Sequence, residues 1–350
     1  MMKNKLFIMI LLSACLSACG SGKSVSQNET VSEKIPTIQA DETENMKVVR
    51  TSAASQETAK TPETTKAPET TKAPETTAQE TTLQAVAEET KNTQAAADEK
   101  SNTRIGLNEN WNYASFSKIH SGESVLYKAQ GNAKGITIAV NAGHGTKGGS
   151  SQKTLCHPDG TPKVTGGTTK AGATTAIAVS EGMTFSDGTT ESTVTFEMAK
   201  VLREELLSRG YNVLMIRDDS DVQLDNIART VIANNNSNAH IALHWDSTES
   251  DKGAFYMGVP DVSSYRSMEP VASNWQKHEA LGKALIQGLS ANGVKIFGNG
   301  RMEMDLTQTS YSTIPSIDIE LGDKKSDYSK EKLKILSKGI ADGIDSYFGF

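Results

Sequence analysis

Residues 191–217, ESTVTFEMAKVLREELLSRGYNVLMIR, decide the fold class of this chain. Their first part predicts a helix that ends near Gly210, because apolar residues recur every three or four positions. Their last part, at 211–216, predicts a strand, since a short apolar run follows the glycine. The apolar residues on the predicted helix face are Val194, Met198, Val201, Leu202 and Leu206. A helix that leads directly into a strand is the repeating unit of α/β proteins.

The same alternation continues on both sides of this unit. Strands are predicted at 136–140, 239–244 and 314–321, from short apolar or alternating runs. Further helices are predicted from apolar residues at helical spacing. Their defining residues are Leu224, Ile227, Ala228, Val231 and Ile232, then Leu281, Leu285 and Leu289, then Leu333, Leu336, Ile340 and Ile344. We therefore expect an open, mostly parallel, twisted α/β sheet flanked by helices.

The N-terminal segment has the features of a bacterial lipoprotein leader. Two lysines precede a short apolar run at 6–12, which is too short to span a bilayer. The sequence Leu-Ser-Ala-Cys-Gly at 16–20 follows and resembles a lipobox. We expect residues 1–18 to be a signal peptide and Cys19 to be acylated, with Cys15 in an upstream copy as the alternative. Such an anchor would hold the protein on the extracytoplasmic face of the cell membrane.

Residues 19–103 are predicted to form a disordered tether. They are rich in Thr, Pro, Glu and Lys, and three copies of a six-residue repeat, Lys-x-Pro-Glu-Thr-Thr, occupy 60–77. Such a segment cannot bury enough apolar surface to offset the entropy lost on ordering. Residues 104–350 regain aromatic and apolar content and are expected to form a folded domain.

Charge and cysteine content restrict the function further. A net charge of -6 without a basic cluster argues against a nucleic-acid partner. If Cys19 is acylated, Cys156 has no partner for an intramolecular disulfide, so the exported domain depends on its own core.

Two histidines stand where predicted strands end, and ligand sites of open α/β sheets lie at the carboxyl ends of strands. His144 follows the first strand between two glycines, and His244 ends the strand at 239–244. His240 lies on the same strand face but about 13 Å away, at ~3.3 Å per residue, so one metal ion cannot bind both. In a helix both could bind, as in the His-Glu-x-x-His motif, but residue 241 is Ile and the apolar alternation favours a strand. We therefore interpret His244, which ends the strand, as the ligand and His240 as structural.

Two glutamates complete the candidate site. Glu191 is the first residue of the predicted helix and lies within its apolar stripe, where burying a carboxylate without a partner is costly, so we interpret it as a metal ligand. The alternative is an acid in the first turn that only interacts favourably with the helix dipole. Glu320 and Asp318 share a face of the strand at 314–321, so either could serve, and Glu320 is nearer the carboxyl end. Two histidines, one glutamate and an open fourth position are typical of catalytic Zn²⁺. A zinc-bound water would then be activated by the further glutamate as general base.

The segment 146–187 is rich in Gly, Thr and Lys and shows neither helical nor strand periodicity. It is longer than an ordinary connection, which is typical of a functional loop or lid. Because it directly follows His144, we expect it to border the active cleft and to become ordered when substrate binds.

From about residue 135 to residue 350 the chain resembles the zinc-dependent N-acetylmuramoyl-L-alanine amidases, the type-3 amidase family of cell-wall hydrolases. The matching runs are IAVNAGHG at 138–145, the unit at 191–217, R-x₃-AN at 229–234, HIALH at 240–244 and IP-x₄-ELG at 314–322. The resemblance implies that His144, Glu191 and His244 bind zinc and that Glu320 is the catalytic glutamate. It implies a structural role for Arg229, which lies on the predicted helix face opposite the apolar stripe.

The chain departs from the family pattern at several positions. The segment before Glu191 is far longer than in compact members, which leaves Glu181 as an alternative ligand. Asp318 stands where the family usually has an apolar residue. Gly322 is followed by an acid, Asp323, where the family has an aromatic residue. His244 is followed by Trp245-Asp246, where the family commonly has a small residue and Asn. Together they predict altered substrate contacts.

The resemblance implies hydrolysis of the amide bond between N-acetylmuramic acid and L-alanine in peptidoglycan. A zinc peptidase that cuts the stem peptide and a non-catalytic wall-binding lipoprotein are the alternatives. We expect peptidoglycan and, through the lipid anchor, the membrane as partners, and a monomeric state.

Overall fold

The computed structural model describes residues 102–350. The predicted signal peptide, Cys19 and almost the whole predicted tether lie outside the described residues. The strands are β1 (Thr103–Gly106), β2 (Glu123–Tyr127), β3 (Thr137–Ala142), β4 (Lys153–Leu155), β5 (Thr175–Ile177), β6 (Asn212–Met215), β7 (Ala239–Asp246), β8 (Ala254–Gly258), β9 (Ile296–Glu303) and β10 (Ser316–Asp323). The helices are α1 (Glu191–Ser208), α2 (Asn226–Asn236), α3 (Ser263–Arg266), α4 (Val271–Ala291), α5 (Thr307–Tyr311) and α6 (Lys330–Phe348).

Eight of these strands form one sheet in the order β1-β2-β6-β3-β7-β10-β8-β9. The four central strands, β6, β3, β7 and β10, run parallel to one another, and β8 also pairs in parallel with β9. The pairs β1–β2, β2–β6 and β10–β8 are antiparallel. The prediction of a mostly parallel α/β sheet flanked by helices is therefore confirmed.

The two faces of the central strands differ in polarity, because side chains alternate along a strand. One face is apolar and packs against α1, α4 and α6; on β7 and β10 it carries Ile241, Leu243, Ile317 and Ile319. The opposite face packs on α2 beneath β6 and β3. Beneath β7 and β10, however, this second face carries polar residues in matched register. These residues are His240, His244, Ser316, Asp318 and Glu320.

The helix–strand unit at 191–217 forms as predicted. Helix α1 buries Val194, Met198, Leu202 and Leu206 against the sheet, and β6 follows after Gly210. Helix α2 is capped by Asp225, whose carboxylate accepts a hydrogen bond from the main-chain N–H of Ala228 at 2.8 Å.

Several short elements carry no sequence signal that predicts them. The outer strands β1, β2, β8 and β9 are absent from the prediction, and β9 contains two glycines, which weaken a strand pattern. The segment 146–187, predicted without strands, contains a small two-stranded antiparallel sheet of β4 and β5. No helix of the described residues is both long and apolar enough to cross a membrane.

Candidate metal centre and active cleft

A tight turn after β3 presents the first candidate ligand. His144 has a positive φ of 63°, which is uncommon for a residue other than glycine and marks a strained position. The preceding Gly143 has to be glycine, because a Cβ there would lie 2.2 Å from the ring of His244. The rings of His144 and His244 also lie close to each other, with centroids 4.7 Å apart.

Two buried arginines satisfy the main-chain oxygens of this turn. Arg229 donates to the oxygens of Ala142 at 3.2 Å and His144 at 2.7 Å. Arg217 donates to the oxygens of Ala142 at 3.2 Å and Gly143 at 3.1 Å. Burial lowers the pKa of Arg229 to about 9 and the pKa of Arg217 to about 10, so both remain cationic at neutral pH. The His144 turn thus rests on two fixed guanidinium groups.

Glu191, the first residue of α1, is buried with its carboxylate bonded on both oxygens. Oε2 accepts a hydrogen bond from the main-chain N–H of Met183 at 2.9 Å, and Oε1 accepts one from that of Trp245 at 3.1 Å. Position at the helix N-terminus further favours the negative charge. These contacts hold a buried carboxylate in the ionised form that a metal ion requires.

Three donor atoms from three separate elements converge at this point. Nε2 of His144, Oε1 of Glu191 and Nδ1 of His244 are separated by 2.8, 3.0 and 3.1 Å. This group, hereafter the donor triangle, is the set of residues in the described chain whose geometry could hold a metal ion. Donors around a tetrahedral Zn²⁺ lie about 3.3 Å apart, so a small outward movement of these side chains would admit the ion. The donor set therefore fits zinc.

The charges around the triangle also favour a cation. Burial alone would raise the pKa of Glu191, but hydrogen bonds with His144 and His244 hold that pKa well below its ordinary value. Burial would lower the pKa of His244, but the carboxylates of Asp318 and Glu191 raise it to about 10. An imidazole drawn toward its cationic form by surrounding carboxylates occupies a site that a divalent cation would also stabilise.

Glu320 lies opposite His244 in the register of β10 and β7 but is not part of the donor triangle. Its side chain is buried, and Oε2 has no hydrogen-bond partner within residues 102–350. Burial raises the pKa of Glu320 well above its ordinary value; His244 opposes this effect and Asp318 adds to it. Most buried polar oxygens have a hydrogen-bond partner, so this oxygen marks Glu320 as a candidate functional residue.

The donor triangle and Glu320 line the same cleft, which has a volume of about 860 Å³. One wall comes from the segment 146–187, through Lys163, Gly167 and Thr168, and another from residues 304–308. The prediction that this segment borders the cleft is confirmed for the described structure. Its ordering on substrate binding stays a prediction.

Among the contacts of the segment with the rest of the protein, the buried carboxylate of Asp305 binds several residues of the segment at once. It accepts hydrogen bonds from Lys163 Nζ at 3.0 Å, from the main-chain N–H of Val164 at 2.7 Å and from that of Thr165 at 3.1 Å. It also contacts Nε2 of His157 at 3.0 Å. Burial would raise the pKa of Asp305, but these partners hold it well below its ordinary value. We call this cluster of five residues the Asp305 anchor.

The C-terminal end of the same segment contacts the donor triangle directly. The main-chain oxygen of Ser180 faces Nδ1 of His144 at 2.8 Å. A Cβ at Gly182 would lie 2.7 Å from Cδ2 of His144 and 2.8 Å from Oε2 of Glu191. Only glycine fits there, at a φ of 84°. The segment is therefore both a wall of the cleft and an outer support of the donors.

The two alternative ligands from the sequence lie outside the triangle. Glu181 accepts a hydrogen bond from the hydroxyl of Ser150 at 2.9 Å and is not among the residues that could hold the ion. His240 is fully buried, with Nδ1 3.4 Å from the hydroxyl of Ser316, and is not among the residues that could hold the ion.

Sequence reasoning missed three supports of the site. Arg217 has a weak sequence signal, because a charged residue directly after an apolar strand sometimes makes a buried contact. Asp305 carried none, because its partners are about 140 positions away in the chain. Ser180 acts through its main-chain oxygen, which no side-chain pattern reveals.

The model of a family described as N-acetylmuramoyl-L-alanine amidase matches residues 138–346. No curated protein matches the chain.

Among solved structures, the N-acetylmuramyl-L-alanine amidase Ami1 from Mycobacterium smegmatis matches with a TM-score of 0.50 and 18% identity, covering 62% of this chain and 99% of that one. The apo form of Ami1 from Mycobacterium abscessus matches with a TM-score of 0.47 and 20% identity, covering 61% and 99%. The amidase AmiC2 of Nostoc punctiforme matches with a TM-score of 0.44 and 17% identity, covering 63% and 100%. The Mycobacterium smegmatis enzyme shares the fold.

Proposed function

The chain belongs to the N-acetylmuramoyl-L-alanine amidase family, and from that premise we propose that it works with a Zn²⁺ ion held by His144, Glu191 and His244 and with Glu320 as general base. The family membership makes it an amidase that acts on peptidoglycan. The metal, the base and the attachment to the membrane are the substance of the proposal.

One observation carries the proposal: a compact donor triangle lines the same cleft as Glu320, a glutamate whose Oε2 has no hydrogen-bond partner within residues 102–350. Three protein ligands leave one position of a tetrahedral zinc free for substrate or water, which is the arrangement of catalytic sites. Glu320 stands beside His244 without belonging to the triangle, so it is available for proton transfer.

A zinc ion held by the triangle would polarise the scissile carbonyl and make water more acidic. Glu320 then accepts a proton from the attacking water as the oxygen of that water bonds to the carbonyl carbon. When the carbon–nitrogen bond breaks, Glu320 returns the proton to the leaving nitrogen. The products are a free lactyl carboxylate on the muramic acid and a free amino terminus on L-alanine.

The surroundings of Glu320 suit this exchange of protons. Burial and the adjacent Asp318 raise its pKa, which makes the carboxylate a stronger base than an exposed glutamate. The supports of the triangle do not move protons: Ser180, Met183 and Trp245 orient the ligands through main-chain groups. Ligand geometry is therefore set by the fold before substrate binds.

The test is a metal assay of the purified chain combined with mass spectrometry of digested peptidoglycan. We expect about one zinc per chain and products in which an intact L-alanine amino terminus is released from a glycan. Cleavage within the stem peptide would instead support a zinc peptidase. A chain without stoichiometric zinc and without cleavage would support a wall-binding lipoprotein.

We also propose an anchored arrangement in which the leader 1–18 is removed, Cys19 is acylated and residues 19–103 tether the domain 104–350 to the membrane, where it acts as a monomer. The lipobox at 16–20 and the composition of the tether support this. Cys19→Ser should move the protein from the membrane to the soluble fraction, and retention of a Cys15/Cys19 double variant in the membrane would contradict it.

A further inference from the structure

The second histidine of the donor triangle has a carboxylate on its outward side. Nε2 of His244 lies 3.5 Å from Oδ2 of Asp318, while Nδ1 of the same ring faces Glu191 at 3.0 Å. Asp318 lies on β10, on the sheet face that also carries Glu320. Within residues 102–350, the His244 ring is the one donor found within contact distance of the Asp318 carboxylate.

The first histidine has a comparable arrangement. Nδ1 of His144 faces the main-chain oxygen of Ser180 at 2.8 Å, and Nε2 faces the triangle. A neutral imidazole carries one proton, and an oxygen on the outward nitrogen holds that proton there. The inward nitrogen then keeps its lone pair free for a metal ion, which is how outer partners orient histidine ligands.

The position of Asp318 argues against the other roles open to it. The two nitrogens of an imidazole point in widely different directions, so a carboxylate beside Nε2 of His244 lies away from the triangle formed at Nδ1. Asp318 is accordingly absent from the group that could hold the ion. It also has a partner in His244, whereas Oε2 of Glu320 has none within residues 102–350, so Glu320 is the better placed general base.

We propose that Asp318 is a positioning residue, which accepts the Nε2–H of His244, fixes that tautomer and strengthens Nδ1 as a donor to the metal ion. This inference rests on the proposed zinc function of the triangle. In this role Asp318 orients a metal ligand and takes no part in proton transfer or substrate recognition.

The experiment measures the zinc dissociation constant of the full chain by competition with a chromophoric chelator at constant pH. Asp318→Asn keeps an oxygen acceptor but removes the charge, and Asp318→Leu removes both. We expect zinc binding to weaken by about 10-fold in the first variant and by up to about 100-fold in the second. Glu181→Gln is the matched control, since it removes a negative charge from the same cleft without contacting a ligand. Its zinc affinity should stay within about twofold of wild type.

Each outcome separates this inference from the proposed function. Zinc affinities of both Asp318 variants equal to wild type would overturn the positioning role alone. Unchanged affinity with a raised KM would assign Asp318 to the substrate and also overturn it. A wild-type chain without stoichiometric zinc would overturn the metal centre and the positioning role together. The unfolding midpoint of the metal-free variants checks that the fold persists, and the visible spectrum of the Co²⁺ form reports the ligand geometry independently of activity.

Discussion

Arg229 donates a hydrogen bond of 2.7 Å from Nη2 to the main-chain oxygen of His144, a residue held at a φ of 63°. The remaining N–H groups of the guanidinium are also bonded, to Asn141, Ala142, Leu224 and Thr146. A strained backbone of this kind costs of order 1–3 kcal/mol and persists only when its surroundings fix it. Arg229 therefore maintains the turn that presents His144 to the donor triangle.

Arg229→Lys should lower the free energy of unfolding by about 2–4 kcal/mol and weaken zinc binding. An ammonium has three donors at one point, so it leaves buried oxygens of the turn without partners. Urea unfolding of the full chain measures the first effect, and chelator competition measures the second. Arg203→Lys is the control, since Arg203 pairs with the partly exposed Asp218 and should cost less than about 1 kcal/mol. Equal losses in the two variants would contradict the structural role of Arg229.

Arg229 also shows which features of the site could be predicted from the sequence and which could not. Periodicity located the strand ends that carry His144 and His244, because the alternation of β7 and the run of β3 are local properties. It placed Arg229 opposite the apolar stripe, yet Arg229 is fully buried. Helix α2 packs on the sheet with one side and on α5 and residues 114–116 with another, so a single stripe underestimates its burial. Hydrophobic periodicity reveals one buried face of a helix, whereas a helix packed between two layers buries more than one face.

Long-range polar contacts were beyond reach for a different reason. The Asp305 anchor joins residues about 140 positions apart, and nothing near Asp305 in the sequence distinguishes it from a surface acid. Asp318 was visible as a candidate, but the direction of its carboxylate toward Nε2 of His244 depends on side-chain rotamers. The sequence therefore indicates the candidate ligands, but not most of the contacts that hold them in place.

The histidines of β7 should differ in their effect on the metal. His244→Ala removes one of three donors and should leave the purified chain with far less than one zinc, because two ligands bind weakly. His240→Leu should retain about one zinc, since His240 is buried outside the triangle. Metal content after dialysis, measured by atomic absorption, distinguishes the two. Loss of zinc from the His240 variant with retention in the His244 variant would reverse the assignment.

His240 should make the fold sensitive to acid. Burial lowers its pKa to about 3, so between about pH 6.5 and pH 3 the unfolded chain binds a proton that the folded chain does not. The free energy of unfolding therefore falls as the pH falls through 6.5, by about 2 kcal/mol between pH 7 and pH 5 from this residue alone.

His240→Leu should remove that part of the pH dependence, as measured by urea unfolding at both pH values with excess chelator present. His120, which is exposed, provides the matched control, and His120→Leu should keep the wild-type dependence. Identical curves for wild type and His240→Leu would show that His240 is not protonated on unfolding in this range.

The Asp305 anchor should control the mobility of the segment 146–187. Asp305→Asn removes the charge that pairs with Lys163 and weakens four contacts at once. We expect amide exchange to rise at least 10-fold within the segment and KM for peptidoglycan to rise, with about one zinc retained. Asp159→Asn is the control, because Asp159 lies in the same segment and its carboxylate bonds to Thr161, a residue of that segment. Unchanged exchange in the Asp305 variant would mean that the segment is held by other contacts.

Glu320→Gln tests the mechanism itself. The amide keeps the shape of the side chain and its hydrogen-bonding reach but cannot accept the proton of the attacking water. Because Glu320 lies outside the donor triangle, the variant should fold, retain about one zinc and still bind peptidoglycan. Its turnover should fall by about 10²–10⁴-fold, the usual contribution of a general base. Release of soluble muropeptides under single-turnover conditions measures the loss.

Glu191→Gln is the informative comparison, since it changes the same functional group within the triangle. A neutral amide is a weak zinc ligand, so this variant should lose metal first and activity as a consequence, and added zinc should restore part of the rate. Added zinc should not restore the Glu320 variant. Loss of zinc from Glu320→Gln would make Glu320 a ligand and reopen the role of Glu191. Near-normal turnover of Glu320→Gln would instead assign the general base to Asp318, on the same face of β10. That result would also contradict the positioning role of Asp318 beside His244.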